Sequence, residues 1–298
     1  MISARFGSLS GDFRAEIAGR SRPDRCPGVL RPWPADDGLL VRLRLVGGRL
    51  PGASLSRLLQ VSAEFADGSV YLTGRANLQL RGLPGRDGRL DPAVVAAIES
   101  TGLLPSRSHE LVRNILVSPQ TGYAGGRADL RPVAAQLDAL LCGDAGLAGL
   151  PGRFLFVLDD GRGDLIDRRS DAGLVALGDA RVQLRIGDGW GAVIGLGDAA
   201  ARLAELAGAF QAARGDGPQA PWHVRELPGP LAPTVPTDPR VPAPSGPLPC
   251  GSVPGGTHVC VPDGVLTPDH GRSLVEHTEL VVTPWQGVFI PQAQEADR

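Results

Sequence analysis

The sequence predicts an α+β protein in which two similar half-domains enclose an inserted α+β unit, and three observations carry that reading. Strand-like runs of period-two alternation lie beside helix-like stretches near both ends of the chain. The run VRLRLVGGRL at 41–50 aligns with THVCVPDGVL at 257–266, and YLTGRANLQL at 71–80 aligns with VVTPWQGVFI at 281–290. Such a spacing is too long for a solenoid, so two half-domains related by a pseudo-twofold axis are expected. Between the copies, prolines crowd residues 215–254, a density that no helix or central strand tolerates.

In chain order, GLLVRLRL at 38–45 reads as a strand closed by the Gly47-Gly48 turn, and residues 54–66 carry apolar side chains at helical spacing. A strand at 69–72 continues into 77–81. Asp91-Pro92 is an N-cap with proline at the first helical position, and Gly102 stops that helix. HELVRNILVSPQTG at 109–122 leads into a helix over about 131–142. The runs 154–161, 174–177, 182–187 and 190–195 read as hairpin strands with Asp-Gly turns, which predicts an antiparallel sheet. Residues 200–214 form an amphipathic helix. After the proline-rich stretch the chain returns to strand, helix and strand. The expected divisions are 22–105, 106–214, a linker at 215–254, and 255–292.

The chain has 298 residues, 42% hydrophobic and 21% charged, with a net charge of -2, which suits a globular protein and argues against nucleic-acid binding. All 30 basic residues are arginine. No run reaches the roughly 20 apolar residues of a membrane span, and the first residues lack a signal-peptide core, so a cytoplasmic location is expected. Cys26, Cys142, Cys250 and Cys260 match no familiar metal spacing and are expected to be reduced, buried or incidental thiols.

The strands of the first copy alternate apolar residues with Arg42, Arg44, Arg75 and Arg81, which would make one sheet face a cationic wall. In the second copy Arg44 becomes Cys260 and Arg75 becomes Trp285, so the anion-binding face is single. Arg44, Arg75, Arg81, Arg113 and Arg153, with Asn77, Gln79 and Asn114, could converge if the first half-domain packs on the inserted unit. Guanidinium forks and amide donors in that number suit a small ligand bearing several carboxylates.

The motifs DGLLVRLRLVGGRL, LTGRANLQLRG, RNILVSP, LPGRFLFVLDDGRG and LVVTPWQGVFIP resemble the nitrite and sulfite reductase superfamily, most closely its precorrin-3B synthase branch. The resemblance spans about residues 22–291. It implies two ferredoxin-like half-domains flanking a tetrapyrrole-binding domain, with a precorrin or siroheme as ligand and oxidoreductase chemistry in aerobic cobalamin biosynthesis. It assigns catalytic positions to Arg44, Arg113 and Arg153, and tetrapyrrole contacts to Arg75, Asn77, Gln79, Arg81 and Asn114. Sulfite and nitrite reducers carry two lysines where this chain has Arg153 and Leu155. The loss of the second cation favours a tetrapyrrole substrate over a small oxyanion. The family's 4Fe-4S cluster is held by four cysteines in a segment that is not matched here, so no metal ligand is assigned. The resemblance implies that catalysis needs that segment, and a separately encoded iron-sulfur chain is the partner that would supply it. A non-catalytic tetrapyrrole-binding protein and part of a split or truncated reductase are the alternatives.

Other residues carry plainer expectations. His258, His270 and His277 lack metal-like spacing, His109 is a proton donor or a loop residue, and Asp159-Asp160-Gly161 reads as turn chemistry. Trp285 is expected to pack in the half-domain core.

Overall fold

A computed structural model describes residues 24–292. The first copy contains β1 (Trp33–Ala35), β2 (Gly38–Leu43), β3 (Arg49–Pro51), α1 (Gly52–Phe65), β4 (Val70–Leu72) and β5 (Leu78–Leu83). A short hairpin, β6 (Gly85–Arg86) with β7 (Arg89–Leu90), and α2 (Pro92–Ser100) follow. The inserted unit holds β8 (Ile115–Val117), α3 (Arg131–Gly143), β9 (Phe156–Asp159), β10 (Ala172–Gly178), β11 (Arg181–Ile186), β12 (Gly189–Gly195) and α4 (Ala199–Arg214). The second copy is β13 (Gly251–Val253), β14 (Gly256–Cys260), β15 (Val265–Leu266), α5 (Pro268–Leu274), β16 (Glu279–Val282) and β17 (Gly287–Pro291).

Three five-stranded sheets result, ordered β1-β2-β5-β4-β15, β13-β14-β17-β16-β3 and β12-β11-β10-β9-β8. The two copies exchange a strand: β3 joins the second copy's sheet and β15 joins the first's. Registers correspond residue for residue, with Arg42 opposite Gln79 in one sheet and His258 opposite Phe289 in the other. Thr73 and Thr283 shape equivalent turns, and their hydroxyls accept from the backbone N–H of Asn77 and of Gly287. Left-handed Ala76 and Gln286 occupy the same place in those turns. Gly48 and Gly264 show why the exchange needs glycine. A Cβ on Gly48 would lie 2.2 Å from the carbonyl of Val282, and one on Gly264 would lie 3.1 Å from that of Leu72. Each copy's turn thus abuts the other copy's inner strand.

Leu39, Val41 and Leu43 of β2 face a core shared by both copies, together with Leu55 and Leu58 of α1, while Leu40 and Arg42 point the other way. The inserted unit has its own core, in which Phe154, Phe156 and Phe210 pack against one another and α4 buries Leu203 and Ala207.

The inserted sheet is mixed, which corrects the antiparallel expectation: β8, β9 and β10 run parallel and only β10–β11–β12 are antiparallel. The Asp160-Gly161 step is not a hairpin turn. The Asp159 carboxylate accepts from the N–H groups of Gly161, Gly163 and Leu165 and so curls a crossover of the length that parallel pairing requires. The proline-rich residues lie along the inserted unit. Asp238 N–H donates to Gln183, Gln183 donates to the Pro236 carbonyl, and Ser245 N–H donates to Gly163. Cys250 and Cys260 form a disulfide across the β13–β14 hairpin, so the expectation of free thiols holds only for Cys26 and Cys142. Antiparallel pairing of β13 with β14 brings the two Cα atoms to 5.5 Å, a proximity that linear spacing does not reveal. Trp285 is half-buried, edge-on to His258, rather than a core residue.

Candidate functional site: an arginine cleft between the first half-domain and the inserted unit

Arg42 and Arg44, two residues apart, share the face of β2 that points away from the core. The turn shaped by Thr73 raises Arg75 beside them, and the loop entering β9 delivers Arg153 from the inserted unit. Arg42, Arg75 and Arg153, with Arg25, Cys26, Pro27, Trp33, Leu40 and Gln79, surround an open cleft of about 440 Å³, while Arg44 is buried behind them and borders a second cleft. The lining mixes the cations with the apolar Trp33, Leu40 and Pro27.

The cations are held in place but not neutralised. Arg42 donates to Gln79 Oε1 at 3.3 Å, Arg75 to the carbonyl of Arg153 at 3.2 Å, and Arg44 to Asn114 Oδ1 at 3.1 Å and to the Pro27 carbonyl at 3.2 Å. Arg44 is only 3% exposed, yet its Nη2 has no partner among the described residues, nor does Nε of Arg42. Burial pulls the Arg44 guanidinium down to about 10, and Arg42 adds to that pull. Burial also lowers Arg42 and Arg75, and Arg153 lowers both further. Unsatisfied buried donors on crowded cations are costly, and a carboxylate would relieve both costs. Among the described residues, Arg153 alone of these has an acidic partner, Asp24 at 3.3 Å, and its guanidinium lies 4.8 Å from the Trp222 ring centroid.

The remaining sequence candidates separate into supports and outliers. Asn77 Oδ1 accepts from Leu45 N–H, and its amide and Arg44 both reach Asn114. Asn114 in turn donates to the carbonyls of Leu111 and Gly152. These two buried amides brace the cleft from behind. Arg81 lies outside it, paired with Asp37 and over the Tyr71 ring. Arg113 points to a different cleft of about 630 Å³ and makes a two-pronged pair with Asp138 at 2.6 and 2.8 Å. Of the other arginines reaching that cleft, Arg49 is matched by Glu279 and Arg131 by Asp129, while Arg44 has no acidic partner among the described residues. Leu155, where a second cation was sought, is buried in the core.

Sequence reasoning missed Cys26, Arg25 and Trp33, which lie in a poorly patterned segment. That segment is fixed by Glu110, whose carboxylate accepts from the N–H groups of Val29 and Leu30. His109 bridges Ser108 and the Asp144 carbonyl and serves its loop. Asp159, Asp160 and Asp164 converge, but Asp159 holds the crossover, Asp160 pairs with Arg162, and Asp164 accepts from Ser118. Burial, with Asp159 and Asp160 alongside, pushes the Asp164 carboxyl up to about 7.

Two strand-exchanged repeats beside an inserted α/β unit, with an arginine-lined cleft, define a protein of the ferredoxin-like half-domain kind. Residues 34–87 match the nitrite/sulfite reductase ferredoxin-like half domain. A precorrin-3B synthase of Sinorhizobium sp is 37% identical over 130 residues, covering 43% of this chain and 26% of that protein. The Mycobacterium tuberculosis NirA protein shares the fold with a TM-score of 0.62 at 17% identity, covering 91% of this chain and 60% of that one. These similarities support membership of the nitrite/sulfite reductase superfamily, with a precorrin-3B synthase among the similar sequences. The chain thus matches only about a quarter of the length of that curated relative.

Proposed function

We propose that the cleft binds one edge of a carboxylate-rich tetrapyrrole of the precorrin type, as part of a precorrin-3B synthase-like oxidoreductase of cobalamin biosynthesis acting in the cytoplasm. The observation that carries this is the unpartnered donor on Arg42 beside the donors of Arg75 and Arg153 in that cleft. Carboxylates of the ligand would take those donors, and Trp33 with Leu40 would cover an apolar part of the macrocycle. Arg153 would exchange Asp24 for a ligand carboxylate. Siroheme carries the same peripheral chemistry and fits the same donors, and when bound it would supply a redox-active iron.

An iron-sulfur cluster does not fit the described residues. Cys250 and Cys260 are bonded to each other, and Cys26 and Cys142 lie on different elements, so no four-thiolate set exists among them. In this reading the cluster belongs to another segment or to a separately encoded chain that docks here. No helix among the described residues is long and apolar enough to cross a membrane.

Titration with uroporphyrin III, an octacarboxylate tetrapyrrole, tests the binding. Absorbance changes should saturate, weaken with salt, and weaken about tenfold or more in Arg75→Ala, the scale of losing one charge-assisted pair. Equal binding by Arg75→Ala would remove the cleft from consideration.

A further inference from the structure

We propose that His223 is the proton-exchanging group of the arginine cleft, its Nε2 giving a proton to the ligand bound there and taking one back. This rests on the reading that the cleft binds a carboxylate-bearing ligand. The imidazole is held by a buried acid: its Nδ1 lies 3.1 Å from Oδ2 and 3.3 Å from Oδ1 of Asp171, whose side chain is 3% exposed. That carboxylate is itself fixed, since it accepts from the N–H groups of Leu155 and Val224. A carboxylate accepts, so Nδ1 keeps its proton in both charge states of the ring and Nε2 is the atom that exchanges one. Nε2 has no hydrogen-bond partner among the described residues and is not sealed off, the side chain being 13% exposed.

The His223–Asp171 pair stands beside the cleft. Leu155, which donates to Asp171, lies two residues beyond Arg153, and the ring of Trp222, next to His223 in the chain, lies 4.8 Å from the Arg153 guanidinium. Burial lowers Arg75, while Cys26 and then Asp171 raise it, so Asp171 is within electrostatic reach of that cation as well. Other charged groups on the elements packed here are Glu226, which takes the Trp222 N–H, Arg225 on the same turn, and Arg214 of α4, which donates to the Pro221 carbonyl. A cleft lined by arginines holds an anion but offers it no group that gives up a proton, because a guanidinium stays protonated. The imidazole supplies what the arginines lack. The proton leaves Nε2 for a basic atom of the ligand, the ring becomes neutral with Nδ1–H still on Asp171, and solvent then returns a proton to Nε2.

The test alkylates the full chain with bromoacetate, an anion, or with bromoacetamide, its neutral counterpart. Each histidine is followed by peptide mass, and hydrolysis separates the Nε2 and Nδ1 products. At His223 bromoacetate should react about tenfold or more faster than bromoacetamide, relative to the same ratio at the exposed His277, and salt should shrink the preference. The His223 product should be on Nε2 alone. Arg153→Gln should lower the His223 ratio severalfold, and Arg89→Gln, on the exposed hairpin, should leave it unchanged. A ratio no higher than that of His277, a ratio unmoved by Arg153→Gln, or product on Nδ1 overturns the proposal. Nitrogen NMR of the full chain with labelled histidine, assigned through His223→Gln, reads the proton itself. Nε2 of His223 should gain and lose it as pH changes while Nδ1 keeps it, and any other pattern also overturns the proposal. Neither readout uses a tetrapyrrole, so a failure of uroporphyrin to bind removes the tetrapyrrole reading while these outcomes still decide the role of His223.

Discussion

The two repeats share a backbone and differ in what they place on it. In the first, Arg42, Arg75 and Gln79 face an open cleft with Arg44 buried behind them, whereas the equivalent positions in the second are His258, Trp285, Phe289 and Cys260. There the face is closed. His258 is buried between Thr283 and the Pro249 carbonyl, Phe289 meets the Tyr123 ring edge at 5.7 Å, and the disulfide ties Cys260 to the incoming strand. The difference teaches that turns and inward-facing positions are fixed by the strand exchange, while the outward face of each sheet is free to become a site or a seal.

The largest effect should come from exchanging the residues after the two threonine turns. A Cβ at Gly287 would lie 2.3 Å from Nε2 of His258 and 2.9 Å from the Val259 carbonyl, so Gly287→Asn should destabilise by roughly 3 kcal/mol in denaturant unfolding. The reverse swap, Asn77→Gly, removes the acceptor for the buried Leu45 N–H and should cost about 1–3 kcal/mol. If Gly287→Asn is the milder of the two, the second repeat is not sealed as described.

Opening the disulfide should cost less. Closing so short a loop is worth about 2–3 kcal/mol at most, and the β13–β14 hydrogen bonds retain part of the constraint. Cys250→Ser together with Cys260→Ser should lower the melting temperature by only a few degrees. Reductant should reproduce that shift in the wild type and leave uroporphyrin binding by the first repeat unchanged.

The smallest effect lies in the inserted unit, which belongs to neither repeat. The Asp164 carboxyl is raised from 3.8 to about 7 in the folded chain. Its protonation therefore contributes stability that is fully present below about pH 4 and lost as pH rises through 7. Asp164→Asn should stabilise by roughly 1–2 kcal/mol at pH 8 and have little effect at pH 4. A pH-independent difference would mean that the Asp159–Asp164 loop is held otherwise.

Most of the fold was legible because it rests on local patterns. The Asp91-Pro92 helix start, the alternation in β2 and the internal repeat all appear in the linear sequence. The parallel pairing of β9 with β10 did not, because Asp159-Asp160-Gly161 looks like a hairpin turn until three backbone N–H groups converge on one carboxylate. The site was legible as a list of arginines and not as a place. Arg113 and Arg81 carry the same charge as Arg75, and only their neighbours, Asp138 and Asp37, show that they are already matched.

By itself the sequence determined the two copies, the loss of cations from one of them, and the segment that could be neither helix nor central strand, since each follows from side-chain period or from proline's fixed torsion. The tertiary structure decided the strand exchange, the disulfide, and which arginines remain without an acid. Those depend on distances between residues far apart in the chain, and a guanidinium's availability is set by what is packed against it rather than by its place in a motif.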